Sequence, residues 1–208
     1  MITPLVHIVD DDEPTRTAMA RLLRAEGLTV RVYGSADEFL AAPFSDQPGC
    51  VVLDVQMPGL NGLELQAKIA EGRDPLPVIF LTGHGEIPDT VRAIQHGAVD
   101  FLTKPVMSAR LLDAITRAFE RDSADRAARH RQRELRERYE RLTPREREVL
   151  AHLISGQLNK QAAADLHIAE RTIKLHRARI LQKMGTNSMA GLARIAIELG
   201  VAPSTPSQ

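Results

Sequence analysis

The sequence predicts an α/β domain built on a doubly wound, five-stranded parallel sheet, followed by a smaller all-α domain of four helices. Three observations predict this. Short apolar runs rich in β-branched residues alternate with helical patterns through residue 120. Residues 117–141 then change to Arg, Glu, Asp and Ala, with no Gly or Pro. Beyond residue 142 the apolar positions recur only at helical spacing, among an excess of basic residues.

The strands predicted are Leu5–Val9, Thr29–Tyr33, Cys50–Leu53, Val78–Leu81 and Phe101–Thr103. Between them lie helices with apolar residues three and four apart: Ala18, Met19, Leu22 and Leu23 in the first, Val91 and Ile94 later, and Leu111, Leu112, Ile115 and Phe119 in the last. Such alternation requires parallel pairing with helices on both faces of the sheet. Glycines 27, 62, 72 and 97 fall at helix ends or turns, where a positive φ is often needed. Cys50, the single cysteine, precedes Val51-Val52-Leu53 and reads as a small core residue. The stretch 121–141 reads as a solvated connecting helix that can continue the one before it, with a thin stripe of Ala124, Ala127 or Ala128, Leu135 and Tyr139. Thr143, Pro144 and Glu146 form a helix start signal, and further helices are expected at about 159–166, 170–184 and 188–199. Residues 201–208 read as a frayed tail.

The zero net charge of the 208 residues conceals an asymmetry. Residues 1–120 hold 10 Lys+Arg against 17 Asp+Glu; residues 121–141 hold 8 against 5, and residues 142–208 hold 9 against 5. An acidic front suits cations, and a basic back suits a polyanion such as nucleic acid. No run approaches the roughly 18 apolar residues of a membrane span. Met1-Ile2-Thr3-Pro4 lacks the layout of a secretory signal, so a cytoplasmic location is expected.

Four of the five strands end in chemistry-bearing residues: Asp10 with Asp11, then Asp54, Thr82 and Lys104. In an open parallel sheet the carboxyl ends of the strands lie along one edge, where ligands bind. Taken singly, an Asp after a strand is usually a turn residue or a cap. All five on one edge make a site for Mg²⁺ and a phosphoryl group. Carboxylates gathered this closely need a cation, and the Pro58-Gly59 turn lets the backbone carbonyl of Gln56 face it. Asp54 can act as a nucleophile, Thr82 can bond a phosphoryl oxygen and Lys104 can pair with its charge.

Ile8-Val9-Asp10-Asp11-Asp12, Leu53-Asp54-Val55-Gln56-Met57-Pro58-Gly59, Leu81-Thr82-Gly83-His84-Gly85 and Leu102-Thr103-Lys104-Pro105 resemble the receiver domain of two-component response regulators. The resemblance implies a flavodoxin-like receiver in which Asp54 accepts the phosphoryl group. Asp10 and Asp11, with Asp54, hold Mg²⁺, and Thr82 and Lys104 contact the phosphate. Asp12 is left as a helix cap, and Phe101 stands where many receivers carry a switch tyrosine.

In the basic half, helix 159–166, the turn His167-Ile168-Ala169 and helix 170–184 have helix-turn-helix geometry. Ile173, Ile180 and Met184 share an inward face, while Thr172, Lys174, His176, Arg177 and Arg179 decorate the rest. Charge alone would fit a solvated helix face equally well; the turn length and net positive balance point to DNA. The segments Leu142–Leu150, Asn159-Lys160, Arg171–Lys174 and Ile180–Met184 resemble the LuxR-type output domain, and the whole chain resembles FixJ/NarL-type regulators. Gly83–Pro88 is similar to the FixJ branch. Carried over, Lys174 and Leu175 face bases with Arg177 and Arg179 nearby, while Lys160, Thr172 and His176 meet phosphates. Ala169 replaces the usual Ser cap and Ala178 a lysine.

The expected organisation is a receiver at 1–120, a linker at 121–141, a DNA-binding domain at 142–200 and a tail. The expected protein is not an enzyme: it receives a phosphoryl group from a sensor histidine kinase, forms a homodimer, binds promoter double-stranded DNA and meets RNA polymerase. Two rivals share parts of the pattern. A Mg²⁺-dependent phosphohydrolase would turn over small phosphate esters but would need acid motifs the sequence lacks. A phosphate-independent DNA-binding protein would leave the complete acidic set without a use.

Overall fold

The computed structural model describes residues 3–43, 47–72, 74–83 and 97–204. The chain divides into two compact units, residues 1–126 and 127–208. The helix expected around Val91 and Ile94 and the stretch His84–Pro88 lie outside the described residues.

In the first unit β1 (Leu5–Val9), β2 (Thr29–Tyr33), β3 (Gly49–Asp54), β4 (Val78–Thr82) and β5 (Asp100–Thr103) form one parallel sheet in the order β2-β1-β3-β4-β5. The central strands β1, β3 and β4 are buried along their whole length, as continuous apolar runs require when helices cover both faces. Alternation then sorts the side chains. Val6, Ile8, Val52, Ile79 and Leu81 join one core with Met19, Leu23, Leu111 and Ile115. Val9, Val51, Leu53 and Phe80 join another with Leu65 and Ile69. Cys50 lies in the first core, and burial pushes its thiol up.

The covering helices are α1 (Glu13–Ala25), α2 (Ala36–Ala41), α3 (Gly62–Glu71) and the start of α4 (Ser108–Glu140). Side chains cap the first three: Asp12 accepts from the Thr15 N–H, Ser35 from Glu38, and Asn61 from Glu64 in a capping box. The last helix of the first unit and the connector are one helix of 33 residues. Nothing between Ser108 and Glu140 breaks it, and its Arg, Glu and Ala are strong helix formers. Its alanines at 124, 127 and 128 are exposed, whereas Asp122 is buried, accepting from the Gly49 N–H at 2.9 Å and from Arg126 Nε at 2.8 Å.

The glycine expectation holds only in part. Gly27 and Gly97 take φ of 81° and 82°, but Gly62 and Gly72 do not. Gly62 is needed for a different reason: a Cβ there would run into the Asp54 carbonyl oxygen.

In the second unit α5 (Pro144–Ile154), α6 (Asn159–Asp165), α7 (Glu170–Met184) and α8 (Met189–Glu198) enclose one apolar core. Leu135 and Tyr139 of α4 pack into it. Thr143 and Glu146 form the expected capping box, and Lys183 Nζ reaches the buried Glu146 carboxylate at 2.6 Å. The tail does not fray at once, since the Ser204 N–H donates to the Ala151 carbonyl at 3.0 Å.

Candidate functional site

The strand order reverses direction between β1 and β3, and ligands of doubly wound sheets bind at such a reversal. Asp10 immediately follows β1, and Asp54 ends β3. Register extends the site sideways: Asp54 pairs with Leu81, so Thr82 lies one residue further along the neighbouring strand, and Thr82 pairs with Thr103. The Lys104 N–H then donates to the Thr82 carbonyl at 2.7 Å. The peptide bond from Lys104 to Pro105 is cis.

Lys104 joins the cluster together. Its Nζ donates to Asp10 Oδ2 at 2.7 Å and to Asp54 Oδ2 at 2.8 Å. Asp10 is 1% exposed and Asp54 8% exposed, while Asp11 is open to solvent. Carboxylate oxygens of Asp10, Asp11 and Asp54 all lie within 4.8 Å of one another. Burial, the largest influence, raises the Asp10 carboxyl above its usual range, and the Asp54 charge adds to this; Lys104 and the Asp12 N–H counter without reversing it. For Lys104, burial pulls the ammonium down, and its bonds to Asp10 and Asp54 more than reverse that pull. Three carboxylates facing one ammonium leave an excess of negative charge, and every donor is a hard oxygen. Such a set fits a small divalent cation such as Mg²⁺.

Gln56 follows β3, Thr82 ends β4, Phe101 lies in β5 and Asp12 precedes α1. The Gln56 N–H donates to Asp54 Oδ1 at 3.3 Å. Thr82 is fully buried, and Phe101 is partly buried against Phe80, with ring centroids 6.0 Å apart. Asp12 turns away to cap α1. The sequence reading missed Arg16, whose Nη1 donates to the Asp10 carbonyl at 2.6 Å. Its spacing from Asp12, one helical turn on, was the available signal.

In the second unit the predicted DNA-contacting residues sit on α6 and α7. Ile173, Ile180 and Met184 are buried. The opposite stripe of α7 carries Arg171, Lys174, Leu175, Ala178 and Gln182, all exposed. Arg171 and Gln182 belong to this stripe and were not singled out from sequence. Leu175 is 50% exposed, and Lys174 pairs with Glu170 at 3.0 Å. Arg177, Thr172 and His176 lie at the borders, half-buried, with His176 Nδ1 sealed from solvent and without a hydrogen-bond partner among the described residues. Arg179 is exposed, as is Lys160 in the first turn of α6. Between the two helices His167 takes a positive φ of 53°, which completes the turn. Leu158 and Ala169 occupy the N-cap positions of α6 and α7, so neither N-cap side chain makes a capping bond, although Gln161 Oε1 accepts from the Leu158 N–H at 2.8 Å.

Each of the two units matches a known family. Residues 6–116 match the family described as response regulator receiver domain. Residues 140–196 match bacterial regulatory proteins of the luxR family. Nodulation protein W of Bradyrhizobium diazoefficiens is 43% identical over 98% of this chain and 90% of its own length. The response regulator protein TodT of Pseudomonas putida is 42% identical over 94% of this chain and 86% of its own. The transcriptional regulatory protein FixJ of Rhizobium meliloti is 39% identical over 96% and 98%. Among solved structures, the response regulator StyR superposes with a TM-score of 0.82 at 42% identity, covering 94% of this chain and 99% of that one. Full-length FixJ from B. japonicum gives 0.57 at 36% identity, covering 96% and 98%.

Proposed function

The chain belongs to the response regulators that carry a receiver domain ahead of a LuxR-type DNA-binding domain, and on that footing we propose that phosphorylation of Asp54 controls its binding to promoter DNA. The observation that carries this reading is the Lys104 fork between Asp10 and Asp54, at the sheet's carboxyl edge and beside the open carboxylate of Asp11. It is a site for one phosphoryl group, built from residues fifty and ninety-four positions apart.

A partner histidine kinase supplies the group. An Asp54 carboxylate oxygen forms the bond to phosphorus as the phosphorus–nitrogen bond of the kinase's phosphohistidine breaks, the imidazole nitrogen keeping the electron pair. Asp10, Asp11, Asp54 and the Gln56 backbone carbonyl would hold Mg²⁺, which would supply charge neutralisation at the phosphoryl oxygens. Lys104 exchanges one carboxylate contact for a phosphoryl oxygen, and the Thr82 hydroxyl bonds another. The added charge of roughly −1.5 to −2 biases an existing two-state element rather than building a new fold. That element is Thr82 with Phe101, which lacks a hydroxyl and responds by packing alone. The face that changes comprises β5 and the start of α4, where Leu111 and Ile115 themselves are buried in the core.

The output follows from the second unit. Lys174 and Leu175, with Arg177 and Arg179 near, read base edges in the major groove, while Lys160, Thr172 and His176 hold phosphates. Two copies bind a partly palindromic site as a phosphorylation-dependent homodimer and engage RNA polymerase in the cytoplasm. The family matches at 6–116 and 140–196 support taking the receiver as residues 1–120, the linker as 121–141 and the DNA-binding domain as 142–200. The test is solution mass by light scattering with Mg²⁺, before and after acetyl phosphate, on wild type and Asp54→Ala. A shift to dimer in wild type alone is expected; an equal shift in both proteins contradicts the reading.

A further inference from the structure

We propose that Arg16 is a positioning residue that fixes the two cation-holding carboxylates of the β1–α1 turn relative to one another. This rests on the reading of Asp10 and Asp11 as metal acids and adds a residue to it. The geometry is specific. Arg16 Nη1 donates to the Asp10 carbonyl oxygen at 2.6 Å. That oxygen belongs to the peptide group joining Asp10 to Asp11, and a peptide group is a rigid plane. Holding its oxygen therefore sets the direction in which Asp11 leaves Asp10. The two Asp10 side-chain oxygens are held as well, Oδ1 by the Asp12 N–H at 2.9 Å and Oδ2 by Lys104 at 2.7 Å. Arg16 completes the set by fixing the one Asp10 oxygen that neither of those groups reaches.

The guanidinium is itself confined. The Arg16 backbone N–H donates to the Asp12 carbonyl at 3.0 Å, inside the first turn of α1. On its other side lies the turn after β2, where a Cβ placed on Gly34 would come within 3.7 Å of both Nη atoms and 3.5 Å of Glu38 Oε2. Glu38 Oε2 also holds the Gly34 N–H. The Arg16 guanidinium thus lies beside the neighbouring β2–α2 turn while its hydrogen bond goes to the acidic one.

A guanidinium has two opposed effects on a nearby cation. Its charge repels Mg²⁺, so its removal on electrostatic grounds alone strengthens binding. Its hydrogen bond orients the ligands, so its removal on positioning grounds weakens binding, as loss of outer partners does in other metal sites. The sign of the change separates the two.

The experiment is calorimetric titration of Mg²⁺ into the full chain, in wild type, Arg16→Gln, Arg16→Lys and Asp11→Asn. Positioning predicts about tenfold weaker binding in Arg16→Gln and a smaller loss in Arg16→Lys, which keeps the charge but not the planar fork. Binding by Arg16→Gln equal to or tighter than wild type overturns the role of Arg16 and leaves the metal site standing. Absence of Mg²⁺ binding in wild type, or no loss in Asp11→Asn, overturns the metal reading itself and the role of Arg16 with it. Thermal unfolding of each variant without metal checks that the half-exposed position leaves the fold intact.

Discussion

Lys104 shows how one residue can hold together two carboxylates at the ends of different strands. It pairs with Asp10 and Asp54 at once, offsetting part of the cost of burying two carboxylates at the end of a sheet. Elsewhere in the same unit a buried titratable side chain has no such counter-charge. His7 stacks on Tyr33, receives or donates one bond at Nδ1 to its hydroxyl, and meets the edge of Phe39. Burial first, and then the charge of Arg31, lower its pKa to about 4. The folded imidazole is therefore neutral, while the unfolded chain takes up a proton near pH 6.5. Stability from this residue is complete above pH 6.5 and is lost as pH falls toward 4, by up to about 3 kcal/mol. Chemical denaturation from pH 7.5 to 4 on wild type and His7→Val should show the wild type falling more steeply in that window. Parallel curves would contradict the assignment.

At the scale of elements, four of the five strands were legible as short apolar runs ended by a polar residue; the structure keeps the predicted ranges of β1 and β2 and lengthens β3, β4 and β5 by one residue at one or both ends. The carboxyl-edge residues were legible for the same reason: strand ends locate them, and the fold brings them together. What could not be read depended on contacts across the chain. Asp122 looked like one more charge on a solvated helix, yet it is buried because the Gly49 N–H, 73 residues away, needs an acceptor. Gly62 looked like a turn glycine, but its requirement comes from the approach of the Asp54 carbonyl. Arg16 was hidden in the same way, since its partner is a backbone oxygen. The caps show the converse, because Thr143–Glu146 and the missing cap at Ala169 were both plain in the sequence and both hold in the structure. Ala169→Ser should add the absent bond to α7 and stabilise the second unit by about 1 kcal/mol. A thermal unfolding curve that stays put or moves down would show that the uncapped amides are satisfied in another way.

At the scale of the whole molecule, a net charge of zero divides into an acidic receiver and a basic remainder. The first attracts a divalent cation and the second a polyanion, so each unit should keep its own ligand when the other is impaired. Lys174→Ala should weaken DNA binding by about 1–3 kcal/mol, while phosphate uptake stays at the wild-type level. Electrophoretic mobility shifts at several salt concentrations, beside a phosphorylation assay, measure the two separately; equal loss of both would break the modular account. The central claim is narrower and more directly reached. Intact-mass spectrometry of the full chain, with Mg²⁺ and acetyl phosphate, should show one added phosphoryl group in wild type and none in Asp54→Ala. No adduct in wild type, or the same adduct in both proteins, would contradict it.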